Sequence, residues 1–364
     1  MPVIRRILCF LFGWLFPSWC DPKPSLPNAH QFIGPDMSRH HATQHLHVIT
    51  CITNPVKYKS RVRLYREFAE YMSKFEHITL WTVEGVYPGC EFEVTQADHP
   101  NHLQMVLEDE IWHKEDLLNI LVKQKLSVDV PDWQYVAWID ADVQFARADW
   151  VAATLQGLQE HAVVQMFSEC MDLTNHWEQV PRGMDSGVMR SSVVKWYDNN
   201  RLPTEGDYRF AGHFGYAWAA TREAWDTLGG LIDDAIVGAA DYLMVHGLLG
   251  EMKDAVNISY TPGYRNSCYA WGERAKKLNR SVGYVRGMIL HHWHGPKWKR
   301  GYSERQRILD QHQFDPNRDL TRQANGAFRW FRENPEHVVA LQEEMKTYFR
   351  SRDEDVHSDD ADLY

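Results

Sequence analysis

The stretch Tyr135-Val136-Ala137-Trp138-Ile139-Asp140-Ala141-Asp142-Val143-Gln144-Phe145 ends an apolar run in two aspartates one residue apart. Pro131 and Asp132 lie just ahead, and β-branched and aromatic residues fill the run, so it reads as a buried strand. Residues i and i+2 of a strand point to the same side. Asp140 and Asp142 are therefore expected to offer two carboxylates in one direction. A buried pair of like charges is costly unless something positive sits between them. A divalent cation carrying a diphosphate suits the pair, because hard cations prefer oxygen ligands. The plain alternative is a strand-end turn whose aspartates face water.

The residues before this run alternate between strand and helix patterns. Leu46–Thr53 reads as a buried strand stopped by Asn54-Pro55, and residues 58–75 read as a helix with one apolar face. Strands are expected at 78–83 and 92–95, and a helix at 109–126. This alternation predicts an α/β fold, a mostly parallel sheet with helices on both faces. Such sheets bind ligands beyond the carboxyl ends of their strands, where Asp140, Asp142 and the Thr53-Asn54 turn all fall. Farther on, residues 163–167 and 186–189 read as strands, and residues 241–249 read as a short helix. The expected division is a globular domain over 46–300, a helical extension over 301–350 and a disordered acidic tail over 351–364.

Ahead of the domain, residues 7–19 are apolar and follow Arg5 and Arg6. That is shorter than the roughly 20 residues needed to span a bilayer, so the N-terminal segment (1–20) reads as a signal-peptide core, a short anchor or an interfacial segment, with docking on the fold as the plain alternative. Residues 21–45 read as a Pro- and His-rich linker, and His40, His41, His45 and His47 show no zinc-finger spacing. The net charge of −10 and the lack of a long basic run leave no electrostatic footprint for nucleic acid and disfavour a nucleic-acid acceptor. The six cysteines form no C-x-x-C pair, which argues against a zinc ribbon or redox motif. A strand-borne Cys51 suits a reduced thiol, and hence a cytoplasmic protein, possible membrane contact aside.

Three further stretches follow a set order around the aspartates. Ile111-Trp112-His113-Lys114-Glu115 through Asn119 comes before Trp138-Ile139-Asp140-Ala141-Asp142. Gly229-Gly230-Leu231 through Gly238-Ala239-Ala240-Asp241 comes after it, and His291-His292-Trp293-His294-Gly295 comes last. Over roughly residues 46–319 the chain thereby resembles inverting, family-2-like nucleotide-sugar glycosyltransferases of the GT-A fold, of the D-x-D type.

The resemblance implies Mn²⁺ (or Mg²⁺), a nucleotide-diphospho-sugar donor such as a UDP-sugar, and a glycan or other hydroxyl-bearing acceptor. It implies that Asp142 binds the metal directly, with Asp140 beside it or turned to the ribose. His291 and His294 complete the metal shell, and His292 is less suited. Nitrogen ligands of this kind make a site less Mg-like and more Mn-like. Asp241 is the implied general base, with Asp233 and Asp234 in reserve; its plain alternative is a helix N-cap. Thr53, Asn54, Arg61, Lys114 and Asn119 are placed on the nucleotide side. His213, Tyr216 and Trp218 are candidates for an acceptor platform, with core packing as the rival. Lys297, Lys299, Arg300 and Arg305 form either a lid over phosphates or a solvated loop. Two other classes remain: a sugar nucleotidyltransferase and a non-catalytic nucleotide-sugar or glycan-binding module. The first normally has a Gly-rich basic loop after its first strand, where this chain has Thr53-Asn54-Pro55.

Overall fold

In the computed structural model, β1 (Leu46–Thr53), β2 (Ile78–Val86), β3 (His102–Val106) and β4 (Tyr135–Ile139) pair in parallel, with β1 between β2 and β4. A short β5 (Val143–Phe145) follows at once and belongs to another sheet. The central sheet continues through β6 (Val163–Gln165), β9 (Ala217–Thr221) and β10 (Val282–Tyr284), giving the order β10-β6-β9-β4-β1-β2-β3. β9 runs antiparallel to both its neighbours. The second sheet adds β7 (Glu169–Asp172), β8 (Arg190–Ser191) and β11 (Met288–His291), in the order β5-β11-β7-β8. A small hairpin joins β12 (Leu320–Arg322) to β13 (Phe328–Trp330).

The described residues are 44–176, 189–197, 212–302, 304–333 and 335–357. The segment 7–19, most of the linker with His40 and His41, residues 186–188 and residues 358–364 lie outside them.

Strand alternation divides the core in two. Ile49, Val136, Trp138, Val163, Trp218 and Ala220 face one hydrophobic cluster. Leu46, Val48, Ala137, Ile139, Val164, Ala217 and Ala219 face the other. A parallel sheet buried on both faces needs apolar residues at every position, which is why these strands read as continuous runs. The second cluster is covered by α1 (Lys59–Met72), through Phe68 and Met72, and by α3 (Trp150–Glu160), through Trp150 and Leu155. The first is covered by α2 (Lys114–Leu121), α4 (Arg222–Leu228), α5 (Ala240–Leu248) and α6 (Pro262–Lys276). Beyond these come α7 (Glu304–Gln311) and α8 (Pro335–Ser351), counting helices longer than six residues. Ile308, Leu309, Leu341 and Met345 join the first cluster, so these two helices belong to the same compact unit, Gln44–Tyr364. The α/β architecture with a mostly parallel central sheet is therefore present.

Several sequence expectations need correction. Residues 92–95 form no strand. They wrap the Glu84 carboxylate, which accepts the backbone N–H groups of Glu93 (2.8 Å), Val94 and Thr95 (2.8 Å). The first helix begins at Lys59 because Asn54 brackets Tyr58, accepting its N–H and donating to its carbonyl, both at 2.8 Å. The helix expected from residue 109 starts at Lys114, because the Trp112 N–H pairs instead with Ile236 O at 3.0 Å. It continues as a π-helical turn over Val122–Leu126.

The largest correction concerns the acidic segment, whose residues up to His357 are described. Arg352 and Glu354 are 5% and 2% exposed. Composition predicts disorder when charges have nothing to meet, but here each acid meets a cation or a helix end. Glu354 pairs with Arg61 and Arg352. Asp353 pairs with Lys299 at 2.5 Å. Asp355 accepts the N–H groups of Lys59 (2.9 Å) and Ser60 (2.8 Å), which open α1. The four described cysteines are free thiols. Among the described residues no helix is long and apolar enough to cross a membrane.

Candidate active site

The site grows from the end of the second sheet. β11 lies between β5 and β7, with His291 in register with Val143 on one side and with Asp172 on the other. The His292 N–H donates to Asp142 O at 2.8 Å, which extends the ladder by one step. Asp142, Asp172 and His291 thereby meet at one end of the sheet, and the turn after β11 returns His294 to the same place.

Asp142 Oδ2 lies 2.9 Å from His294 Nε2 and 3.8 Å from His291 Nε2. The two Nε2 atoms are 3.2 Å apart. Two ligands held about 2.1 Å from one ion at angles of 90–110° would be roughly 3.0–3.4 Å apart. Asp142 Oδ1 is buried and has no hydrogen-bond partner. A carboxylate with a free buried oxygen and two imidazoles turned to a common point fit a first-row divalent ion. Among the described residues this is the group of side chains able to hold a metal.

His291 Nδ1–H donates to Asp172 Oδ1 at 2.9 Å, which leaves the Nε2 lone pair facing Asp142 and His294. Burial brings the His291 imidazole down to about 3, against the opposing pull of Asp142 and Asp172. Burial and the Arg300 cation also lower His294. Both rings are thus neutral, the form that ligates. Arg300 Nη2 lies 2.8 Å from His294 Nε2, the same nitrogen that approaches Asp142. A guanidinium therefore stands at the rim of the metal group.

Asp140 is not part of the Asp142, His291 and His294 group. β4 ends at Ile139, the Asp140 N–H donates to Tyr216 O at 2.8 Å, and the chain then turns into the other sheet. The Asp140 carboxylate meets Lys114, on the first turn of α2, in a close ion pair. Burial raises the Asp140 carboxyl, Lys114 opposes that, and Asp142 adds to it.

Asp241 sits in the first turn of α5, after Gly238 and Ala239, both with positive φ (85° and 72°). Its Oδ1 accepts the Tyr242 N–H at 2.9 Å. A Cβ on residue 215 would lie 2.7 Å from Asp241 Oδ2, so Gly215 gives the carboxylate its room. The charge of Asp241 acts on Lys114, Glu115 and Asp140, so these groups share one neighbourhood. Asp233 pairs with Arg322 at 2.8 Å, and Asp234 is held by the Ser267 hydroxyl. Burial raises Asp234 to about 6.

Other candidates are engaged elsewhere. Asn119 accepts the Leu231 N–H (2.8 Å) and donates to its carbonyl (2.9 Å), so it fixes the Gly229-Gly230-Leu231 turn. Asn54 is likewise committed to Tyr58. Arg61 donates to Thr53 O at 2.5 Å and makes a bidentate pair with Glu354 at 2.6 and 2.8 Å. His213, Tyr216 and Trp218 offer no open platform. Trp218 is 3% exposed and stacks on Trp138, because β9 turns it into the core. Tyr216 is 5% exposed. His213 stacks on Tyr216 at 3.6 Å, and Tyr216 stacks on His291 at 4.7 Å. The column supports the metal-facing imidazole.

Sequence reasoning missed Asp172, Glu115 and Glu354. Burial, resisted by Lys114 and reinforced by Asp241, raises Glu115 to about 7. Glu115 directly follows Lys114, and that adjacency was the available signal. Nothing in sequence pointed to Asp172. It also missed two exposed aromatics beside Arg300: Trp298 (55%) and Tyr302 (46%).

No family model matches the sequence, and no curated protein does either. Solved structures with a partial likeness include Drosophila β1,4-galactosyltransferase 7 in complex with manganese, UDP-Gal and xylobiose. That match has a TM-score of 0.33 and 9% identity, and covers 66% of this chain and 65% of that one, just under two thirds of its length. S. aureus TarS 1-349 in complex with UDP-GlcNAc matches with a TM-score of 0.34 and 11% identity, over 68% of this chain and 58% of that one. The 4-diphosphocytidyl-2C-methyl-D-erythritol synthase of Anaerococcus prevotii matches with a TM-score of 0.30 and 9% identity, over 67% and 87%.

Proposed function

We propose that the chain is a metal-dependent glycosyltransferase. It moves a sugar from a nucleotide-diphosphate donor, a UDP-sugar by preference, to an acceptor hydroxyl with inversion. One observation carries the reading: Asp142, His291 and His294 converge within ligand distance of one another beside a buried, partnerless Asp142 oxygen. These three residues would hold Mn²⁺ or a similar ion. Such an ion, when bound, offsets the charge that grows on the departing diphosphate.

The chain's own residues do the rest. Arg300 at the rim supplies a fixed positive charge toward the same phosphates. Asp140 and Lys114 form the wall on the nucleotide side. Asp241 accepts the proton of the acceptor hydroxyl as that oxygen attacks from the face opposite the leaving group. Gly215 keeps the approach to its Oδ2 open. Glu115 stands beside this charge set, close to neutral pH in its titration. The Thr53-Asn54-Pro55 turn, with Asn54 committed to Tyr58, is not the glycine-rich phosphate loop of a nucleotidyltransferase.

A thermal-shift screen of nucleotide sugars with and without Mn²⁺ tests the reading. One donor is expected to raise the melting temperature only with metal and to release nucleoside diphosphate slowly without acceptor. If no nucleotide sugar stabilises the protein in either condition, the reading fails. Metal-independent binding without diphosphate release would assign the chain to the non-catalytic class.

A further inference from the structure

We infer that Asp172 is a positioning residue that fixes the ring orientation and tautomer of His291; this rests on the metal-site reading above. The backbone places it. β7 and β11 run in parallel with Asp172 opposite His291, so the two side chains leave neighbouring strands at one level. Asp172 is 5% exposed and takes four donors. His291 Nδ1 and the Tyr216 hydroxyl both donate to Oδ1 at 2.9 Å. Lys297 Nζ lies 2.5 Å from the same oxygen, and Arg190 Nη2 lies 3.4 Å from Oδ2.

The charge balance selects its role. Lys297 and Arg190 already neutralise the carboxylate. His291 therefore need not be an imidazolium to pair with it and can donate Nδ1–H as a neutral ring. A neutral imidazole with its proton on Nδ1 must carry its lone pair on Nε2. That lone pair faces Asp142 and His294. Tyr216 stacks on the ring at 4.7 Å while its hydroxyl holds the same carboxylate, so one residue limits both tilt and rotation. Without Asp172, Nδ1 loses its acceptor, the Tyr216 hydroxyl loses its anchor, and either ring nitrogen can carry the proton. Partners of this kind typically change metal affinity by roughly 10–100-fold when removed.

Titration with Co²⁺ alone tests this, read by calorimetry and by the visible absorption of the bound ion. The parent is expected to bind Co²⁺ with a defined spectrum, and His291→Ala to lose that spectrum. Asp172→Ala is expected to bind roughly 10–100-fold more weakly with an altered spectrum. Asp172→Asn keeps an acceptor oxygen for Nδ1–H and is expected to fall between the two. Parent affinity and spectrum in both Asp172 variants would overturn the inference while leaving the metal site standing. A parent that binds no Co²⁺ would overturn the metal-site reading itself, and the inference with it. If neither Asp172 variant folds, Asp172 is a determinant of the fold and its positioning role is refuted.

Discussion

Replacing Glu354 by glutamine removes the negative charge from an enclosed ion cluster while keeping size and shape. Both oxygens of Glu354 are occupied. Oε1 accepts from Arg61 Nη2 at 2.8 Å and Arg352 Nε at 2.6 Å, and Oε2 accepts from Arg61 Nε at 2.6 Å. A glutamine must turn its NH₂ toward one of these guanidinium donors. Breaking a buried ion pair by removing one partner costs about 3–5 kcal/mol. The Arg61 side chain is 22% exposed and keeps its bond to Thr53 O, so it can recover part of its hydration. That places the expected loss at the lower end, about 3 kcal/mol, or roughly 4–5 °C in melting temperature for a unit of this size. Burial would raise the Glu354 carboxyl, but Arg61 and Arg352 outweigh it and hold the carboxyl well below its usual range. A depressed carboxyl stabilises above its unfolded pKa, about 4.3, and that gain is lost as pH falls through the folded value. The difference between Glu354→Gln and the parent should therefore be full at pH 7 and shrink steadily below about pH 4. Urea denaturation at several pH values measures it. A difference under about 1 kcal/mol at pH 7, the range of exposed ion pairs, would show that the segment is solvated and refute the argument.

Asp142→Ala should abolish binding of Mn²⁺ measured by calorimetry while the melting curve stays cooperative; unchanged affinity would remove the proposed metal group. The N-cap of α5 is Ala239, so Asp241 is no cap; Asp241→Asn keeps an oxygen for the Tyr242 N–H and should leave donor affinity intact. Its transfer rate at saturating acceptor should fall by roughly 10²–10⁴, and a rate near the parent's would return the base to the unassigned carboxylates, Glu115 included. Asn119→Ala orphans both backbone groups of Leu231 and should cost about 2 kcal/mol in denaturant unfolding, with nucleotide-sugar affinity per folded molecule unchanged.

The sheet was legible because both its faces are buried, which writes strands as apolar runs bounded by turns. β1 and β4 sit where their apolar runs lie. Residues 92–95 show the limit of that signal. They carry strand-like side chains, but their N–H groups are claimed by a carboxylate nine residues or more away, which no local pattern encodes. The same limit governs the site. Asp142, His291 and His294 were visible as residue types in a known order. Their companion Asp172 depends on the register of two strands 119 residues apart and leaves no mark on its own neighbourhood in sequence. Tyr216 and Trp218 were visible as aromatics, but which side of β9 and its entry faces the core is decided by pairing with β4 and β6. Residues 352–357 misled in the opposite sense: their composition is that of a solvated tail, and only the waiting cations make it a packed element.

The ion pair between Arg61 and Glu354 spans 293 positions of the chain. At the usual pace of synthesis, 5–20 residues per second, Arg61 emerges roughly 15–60 s before its counter-charge exists. Through that interval the opening of α1 lacks its Asp355 cap and Arg61 has no acid to meet, so this corner of the site is among the last to close. A protease cut just after α8 would then reach much farther than its few residues suggest, loosening Thr53, the start of α1 and the turn that carries His294 together.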